Sequence, residues 1–190
     1  IKTVRGSFAN LMLDYAGGSL NIDGYFSDSH QPRFSISFED GSVWGYADVL
    51  EKLAPVVGSE NSDYLKGLVV EPNRMFGLNG SDYLFGGNQS DLIMGGAGAD
   101  YIDAYDGGDM ISGDDGNDTV HGGLGNDEVD GGNGDDLLYG DPGDDALNGG
   151  DGNDSLWGGD GDDRLRGGAG NNHLTGGMGK DTYLISSSGS

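Results

Sequence analysis

The sequence predicts an all-β fold, a solenoid of two stacked parallel sheets that follows a small β-rich unit. Three observations predict it. Twelve nine-residue repeats run from Gly77 to Leu184 without insertion or deletion. Each follows the pattern G-G-x-G-x-D-x-U-x, in which U is a large apolar residue, as in the copy GGLGNDEVD at residues 122–130. Glycine accounts for 40 of the 190 residues, about three times its usual share of ~7%.

The charge balance limits the partners that the chain can bind. It has 33 Asp and Glu residues against 9 Lys and Arg, for a net charge of -24. Phosphate groups would be repelled, so we expect no nucleic-acid partner and no attraction to an anionic membrane surface. No apolar run approaches the ~20 residues of a membrane span, so we expect no direct membrane insertion. Because such a charge usually predicts disorder, order requires a cation between the carboxylates.

Residues 1–57 are predicted to form a β-rich flanking or capping unit with one short helix. Alternating apolar residues predict three strands, at residues 8–15, 19–26 and 33–38. Asp40-Gly41 predicts a hairpin turn before Val43-Trp44. Residues 46–53 have the apolar spacing of a helix and end before Pro55. A unit this small is marginally stable alone, so we expect it to lean on a neighbour.

Residues 58–76 are predicted to be a transition into the array. Gly58 to Lys66 is a degenerate repeat with Asp63 in the sixth place, and residues 67–76 then break the nine-residue register. The array occupies residues 77–184, and residues 185–190 form only a tail, so we expect the last coil to fray. The chain does not begin with Met and has no signal peptide, so we expect it to be part of a longer protein.

Each repeat divides into a six-residue turn and a three-residue strand. The turn glycines permit positive φ and close backbone approach, and U points to one face of the strand. Two repeats therefore make one coil of about 18 residues, and stacked coils form two parallel sheets with about 4.8 Å per layer. The predicted core consists of the U residues Leu84, Ile93, Ile102, Ile111, Val120, Val129, Leu138, Leu147, Leu156, Leu165, Leu174 and Tyr183.

Acidic residues at the sixth place predict a metal-binding function. Residues 18 apart lie in adjacent layers, so these carboxylates stack along two edges, six turns on each, and repel one another by roughly 1 kcal/mol or more per pair. Turn carbonyls face the same gaps. A hard cation with oxygen ligands resolves both problems, and a flexible cage favours Ca²⁺ over Mg²⁺. Five gaps on each edge would hold about ten Ca²⁺ ions. The absence of cysteine is consistent with a structural metal.

The array resembles the RTX, or haemolysin-type calcium-binding, repeat family over 108 of the 190 residues. The resemblance implies a right-handed parallel β-roll, export by a bacterial type I secretion apparatus, and folding on Ca²⁺ in the extracellular medium. Carried over by position, the implied carboxylate ligands are Asp82, Asp91, Asp100, Asp109, Asp118, Asp127, Asp136, Asp145, Asp154, Asp163 and Asp181. The implied main-chain carbonyl ligands are those of turn glycines such as Gly96, Gly98, Gly116, Gly123, Gly125, Gly132, Gly134, Gly150, Gly152, Gly159 and Gly161.

The first unit also resembles a known segment. The stretches at residues 20–22, 25–26 and 36–41 are similar to the segment that flanks RTX blocks in adenylate-cyclase haemolysins and related toxins. The implied function is a calcium-binding module that folds after secretion and assists the export and folding of a parent toxin. The alternatives are a calcium-stiffened module of a large RTX adhesin, or the C-terminal tail of an exported protease or lipase. No catalytic site is expected, because the three histidines are scattered and no zinc or nucleophile motif is present.

Departures from the pattern lead to further expectations. Non-glycine residues replace turn glycines within the first four repeats, at Leu78, Gln89, Ala104 and Tyr105, so we expect weaker or differently coordinated ions there. Asp114 and Asp141 stand in the second glycine place, where we favour surface charge over extra ligands. Asn172 lacks the charge, yet it lies in the last turn of its edge.

Two groups of outward-facing side chains are open to more than one interpretation. Apolar side chains in the first repeats, Tyr83, Phe85, Leu92, Met94 and Tyr101, are expected to be covered by residues 1–76. The alternative is a patch for an intramolecular or adhesin partner. His121, Tyr139 and Trp157 are 18 residues apart and should form a ladder, in which we favour mutual stacking over ligand binding.

Overall fold

The computed structural model describes the backbone of Asn10–Tyr15, Gly18–Tyr25, Arg33–Ser37 and Val43–Trp44, and it describes residues 55–184 with their side chains. The chain divides into two compact units, Ile1–Ala54 and Pro55–Ser190. Within these described residues, no helix is long and apolar enough to cross a membrane.

The first unit contains one antiparallel sheet. Its strand order is β1 (Asn10–Tyr15), β2 (Gly18–Tyr25), β3 (Arg33–Ser37) and β4 (Val43–Trp44). This confirms that the unit is β-rich, because alternation of apolar residues is the period of two that strands require. The helix predicted at residues 46–53 lies outside the described residues.

The second unit is a parallel β-solenoid of two sheets, as the sequence predicts. One sheet has eight strands, β5 (Val56–Val57), β7 (Arg74–Asn79), β9 (Leu92–Ala97), β11 (Met110–Asp115), β13 (Glu128–Asn133), β15 (Ala146–Asp151), β17 (Arg164–Arg166) and β19 (Thr182–Leu184). The other has seven strands, β6 (Tyr64–Lys66), β8 (Tyr83–Gly87), β10 (Tyr101–Tyr105), β12 (Thr119–His121), β14 (Leu137–Pro142), β16 (Ser155–Asp160) and β18 (His173–Met178). Alternate strands of the chain therefore belong to opposite sheets, so each turn links one sheet to the other.

The hydrophobic core is a single stack between the two sheets. Its members are fully or almost fully buried, and they are Met75, Leu84, Ile93, Ile102, Ala104, Ile111, Val120, Val129, Leu138, Leu147, Leu156 and Leu165. Ten of the twelve predicted U residues are in this stack, and Leu174 packs against it. One apolar side chain per nine residues makes a thin core, so the turns must contribute much of the order.

The roll begins before the twelve regular repeats. Strand β5 pairs with β7, so residues 56–57 belong to the roll and not to the first unit, where the sequence analysis places them. Val56 lies opposite Met75 across a spacing of 19 residues, whereas Arg74 lies opposite Leu92 at the regular spacing of 18. The predicted break in the register is thus one extra residue in the turn between β6 and β7. A turn absorbs such an insertion because only its ends must meet the strands.

The last predicted core residue is not buried. Tyr183 lies in β19, which pairs with β17, yet 47% of its surface is exposed. Its hydroxyl accepts a hydrogen bond from the Gly176 N–H at 2.7 Å. No described coil stacks beyond β19, so Tyr183 is packed against a neighbouring layer on one side only. Fraying of this coil stays a prediction.

Leu138→Ala should destabilise the calcium-saturated roll by about 2–5 kcal/mol, because Leu138 is fully buried and the thin core cannot collapse around the cavity. The matched control is Leu137→Ala in the same strand, whose side chain is 40% exposed and should cost far less. Chemical denaturation in saturating calcium measures both. Equal losses from the two variants would contradict the assignment of the inner and outer faces.

Candidate metal centre

The sixth-place carboxylates form two ladders, one along each edge of the roll. In each ladder the backbone N–H of one acidic residue donates to the Oδ1 atom of the next, 18 residues later. The Asp82 N–H donates to Asp100 Oδ1 at 2.7 Å, and on the other edge the Asp109 N–H donates to Asp127 Oδ1 at 2.8 Å. The donors in the regular part of the array are Asp82, Asp91, Asp100, Asp109, Asp118, Asp127, Asp136, Asp145, Asp154 and Asp163. Each carboxylate is thus fixed by the layer before it.

The second oxygen of these carboxylates has no hydrogen-bond partner within residues 55–184. Ten buried Oδ2 atoms are in this position, those of Asp82, Asp91, Asp100, Asp109, Asp118, Asp127, Asp136, Asp145, Asp154 and Asp163. Their side chains are at most 4% exposed. An unpartnered buried carboxylate oxygen is very costly, because it loses its hydration without a replacement. Ten such atoms at regular intervals therefore mark the places where cations would replace the lost hydration.

In eleven of the twelve repeats the first place is glycine and keeps space open beside the sixth-place side chain; in the fourth repeat Ala104 stands there. A β-carbon at Gly122 would lie 2.5 Å from Asp127 Oδ2 and 2.9 Å from the Gly140 carbonyl oxygen of the next layer. Two oxygens from two layers thus converge on a space that any larger residue would fill. Glycine at residue 122 is favoured by this close approach and not by its φ.

The second and fourth places bring their carbonyl groups to the neighbouring layer. All eleven of the predicted carbonyl ligands are glycines at positive φ, with values between 102° and 150°. A β-carbon at Gly98 would overlap the carbonyl oxygen of Gly80 in the layer before, so the backbones of stacked turns touch. Among the backbone hydrogen bonds made by the turns of residues 55–184, none ends on a fourth-place carbonyl oxygen. The fourth-place oxygens are therefore free to bind a cation, whereas the carbonyl oxygen of Gly150, a second-place residue, accepts the Ala169 N–H at 2.7 Å.

The donor set of each gap fits Ca²⁺. It consists of carboxylate and main-chain carbonyl oxygens, which are the ligands of a hard divalent cation. Within residues 55–184, no three His, Cys, Asp or Glu side chains converge as a metal-binding group. The gaps instead mix carboxylate oxygen with backbone oxygen, a set that suits Ca²⁺ and not zinc or copper.

Burial disfavours the ionised form of the carboxylates. It raises the pKa of Asp109, Asp118 and Asp145 to about 7. It raises the pKa of Asp136 to about 6. The hydrogen bond from the backbone N–H of the preceding layer lowers each of these pKa values, and the charges of neighbouring carboxylates raise them. Burial also raises the pKa of Asp91, Asp100, Asp127, Asp154 and Asp163.

Each edge has one turn before the twelve regular repeats, and the sequence analysis identifies only the turn of Asp63. Asp63 and Asn73 precede Asp82 and Asp91, and their backbone N–H groups donate to those carboxylates at 2.7 and 2.6 Å. Asp63 differs from the ten unpartnered residues, because its Oδ2 accepts bonds from the N–H and the hydroxyl of Ser59. Counting back 18 residues from Asp91 would have found Asn73.

A second ladder at the fifth place is absent from the sequence analysis. Here the side-chain oxygen of one layer accepts the backbone N–H of the next, as Asn117 Oδ1 does from the Asp135 N–H at 3.0 Å. The recurring Ser, Asn and Asp at this place were the available signal. The acceptors are Ser62, Ser81, Ser90, Asn117, Asn126, Asp135, Asp144, Asn153 and Asp162. This ladder fixes the turn backbone next to the gaps.

Four of the departures from turn glycine, Leu78, Tyr105, Asp114 and Asp141, keep the positive φ of the regular turns. Leu78 and Tyr105 keep positive φ values of 80° and 72°, but Gln89 has no positive φ. The side chains of Asp114 and Asp141 bind outside the gaps. The Ser112 hydroxyl donates to Asp114 at 2.6 Å, and His121 Nδ1 lies 3.2 Å from Asp141 Oδ2. These contacts agree with the expectation of surface charge.

The predicted aromatic ladder is confirmed. His121 and Tyr139 stack with ring centroids 4.5 Å apart, and Tyr139 and Trp157 stack at 4.8 Å. Interplanar angles of 5° and 7° place the ring faces against each other. The faces are therefore used within the ladder, as mutual stacking requires. Tyr83 and Met94 in the first regular repeats are exposed, and their cover by residues 1–76 stays a prediction.

Comparison with protein families agrees with this geometry. A model described as the RTX calcium-binding nonapeptide repeat (4 copies) matches residues 72–102, 103–138, 121–156, 139–174 and 157–184. Together the matches cover residues 72–184, which is more than half of the chain. Comparison with curated proteins found no match.

The calcium-free roll should gain stability as pH falls. A carboxyl whose pKa is about 7 when folded and about 3.9 when unfolded binds its proton first in the folded state. Its contribution is complete below about pH 4 and is lost as pH rises through 7. Calcium must displace these protons, so the calcium midpoint should rise below about pH 7. Circular dichroism at several pH values, in chelator and during calcium titration, measures both effects. A midpoint that does not change with pH would contradict the burial of these carboxyls.

Proposed function

Since the chain belongs to the RTX calcium-binding nonapeptide repeat family, we propose that calcium binding and folding of its β-roll are one event. Calcium binding is the established property of the family, and the coupling to folding is supported by the ten unpartnered carboxylate oxygens. Without cations, these atoms would make the stacked turns unstable. With cations, each layer is joined to the next along both edges.

The proposed ligands follow from the donor sets of the gaps. The ten unpartnered Oδ2 atoms would each face one Ca²⁺ ion, together with turn carbonyl oxygens of the same two layers. Asp181 would complete the last gap of its edge, since its Oδ1 accepts the Asp163 N–H at 3.2 Å. Residues 77–184 have 23 acidic and 3 basic residues, so about ten divalent ions would nearly neutralise the array. Each ion supplies the positive charge that lets the carboxylates stay ionised while buried.

The proposed setting is export from a bacterium. At low cytosolic calcium the chain would stay unfolded and strongly negative, and so remain competent for a type I secretion apparatus. At extracellular calcium, affinities of about 10⁻⁴–10⁻³ M would suffice for folding. Folding outside the cell would oppose backward movement and assist the folding of a parent protein. The resemblance of residues 20–41 to the flank of RTX toxins supports a toxin as that parent. The proposal assigns no catalytic role to this segment.

Calcium titration of the full chain tests the proposal. Far-UV circular dichroism should show little β structure in chelator and a steep cooperative gain with calcium, because each coil contacts only its neighbours. Magnesium at the same concentration should produce much less β structure, since it retains its water. Complete β structure in chelator at neutral pH would refute the coupling of binding to folding.

A pair of adjacent substitutions tests the ladder itself. Asp127→Asn removes one buried charged ligand, which costs about 3 kcal/mol. Shared among about ten cooperatively bound ions, this loss should raise the calcium midpoint by about 1.7-fold. The control is Glu128→Gln, which removes the same charge from an exposed neighbouring side chain and should leave the midpoint nearly unchanged. Equal shifts would mean that net charge, and not ligation, governs folding.

A further inference from the structure

The first turn of one edge is built differently from the turns that follow. Asn73 occupies the sixth place of this turn and is 5% exposed, as buried as the carboxylates. Its backbone N–H donates to Asp91 Oδ1 at 2.6 Å, which continues the ladder. Its side chain, however, is a neutral amide with two N–H donors.

The amide nitrogen of Asn73 lies among oxygens from both layers. Nδ2 donates to the carbonyl oxygens of Leu68 at 3.0 Å and Glu71 at 3.2 Å in its own turn. Nδ2 also donates to Asp91 Oδ1 in the next layer at 2.9 Å. The amide oxygen accepts the Leu68 N–H at 2.6 Å, which fixes the orientation of the amide. Two turn carbonyls and one carboxylate of the next layer thus converge on a single donor.

The Asn73 amide supplies what the oxygens of a metal-binding gap lack, a positively polarised group between them. In the later gaps, an unpartnered carboxylate oxygen and turn carbonyls face one another without a donor between them. At Asn73 the same kinds of oxygen are satisfied by N–H groups of the protein. A Ca²⁺ ion in this gap would have to displace an amide nitrogen that makes three hydrogen bonds, and it would gain only one carboxylate, that of Asp91.

Replacing Asp by Asn at the sixth place is not sufficient for this arrangement. Asn172, in the last turn of the other edge, has the same side chain in the same place of the repeat. Its Oδ1 accepts the Asp154 N–H of the layer before at 2.7 Å, but its Nδ2 donates only to the Ala169 carbonyl of its own turn, at 3.3 Å, and no described turn follows on its edge. The turn at residues 67–73 is one residue longer, and this difference accompanies the bridge.

We infer that the amide of Asn73 takes the place of a Ca²⁺ ion in the gap between the turns at residues 67–73 and 86–91. This gap binds no metal, and on this edge the first coil is joined to the array by hydrogen bonds without calcium. The calcium ladder of this edge then begins at the following gap, where Asp91 Oδ2 has no partner. The inference rests on the proposed calcium function and specifies the first gap of this edge that binds calcium.

Asn73→Asp in the full chain tests the inference. The new carboxylate would face the oxygens that the amide now satisfies, which creates a gap with two carboxylates and two turn carbonyls. The variant should bind one more Ca²⁺ ion than the natural sequence, counted by native mass spectrometry. It should be less stable than the natural sequence at limiting calcium and should regain stability at saturating calcium.

Asn172→Asp is the matched control, because it makes the same chemical change at a place without a bridging amide. Its ion count should equal that of the natural sequence. Asn73→Ala removes the bridge without adding a ligand, so it should lose stability at every calcium concentration and keep the ion count. An unchanged count in Asn73→Asp, an equal gain in Asn172→Asp, or the loss of an ion in Asn73→Ala would overturn the inference. A natural sequence that binds no calcium at all would instead refute the proposed function.

Discussion

The roll depends on the sixth-place carboxylates, in which only one of the two oxygens has a hydrogen-bond partner. One oxygen accepts the backbone N–H of the layer before, and the other is buried without a hydrogen bond. The first interaction holds each carboxylate against the turn of the layer before. The second leaves it with a charge that the protein does not balance. Divalent cations in the gaps would supply the missing charge, and under the proposed function the stability of the roll then depends on its ligand.

The glycines and the thin core are both consequences of stacking turns around these carboxylates. First-place glycines leave room beside the unpartnered oxygen, and fourth-place glycines let stacked turns touch through their backbones. The cost is a chain that buries one large apolar side chain per repeat and has high conformational freedom when unfolded. Such a chain is poorly stable by hydrophobic burial alone. The fold is therefore expected to be sensitive to calcium.

At the two ends of the ladder, fewer carboxylates are left without a partner than in the middle. At the first turns, Ser59 satisfies Asp63 and the amide of Asn73 satisfies Asp91 Oδ1, so hydrogen bonds replace the charge of an ion. At the last turns, Asn172 carries no charge, and Tyr183 is exposed beyond the final buried layer. The strongest dependence on cations therefore lies in the middle of the roll, where every carboxylate has a layer on each side.

The sequence by itself determined the solenoid, the coil of two repeats, the core stack and the sixth-place carboxylates. A repeat of nine residues admits few alternatives, because a shift by one residue would bury charges and expose the core. Only the tertiary structure decided which oxygens have partners and where the ladder begins. Because the turn before Asn73 has one extra residue, counting in steps of nine does not place Asn73 at the sixth position. Hydrogen bonds between layers restore that register, because residues 18 apart meet only when the coils are stacked.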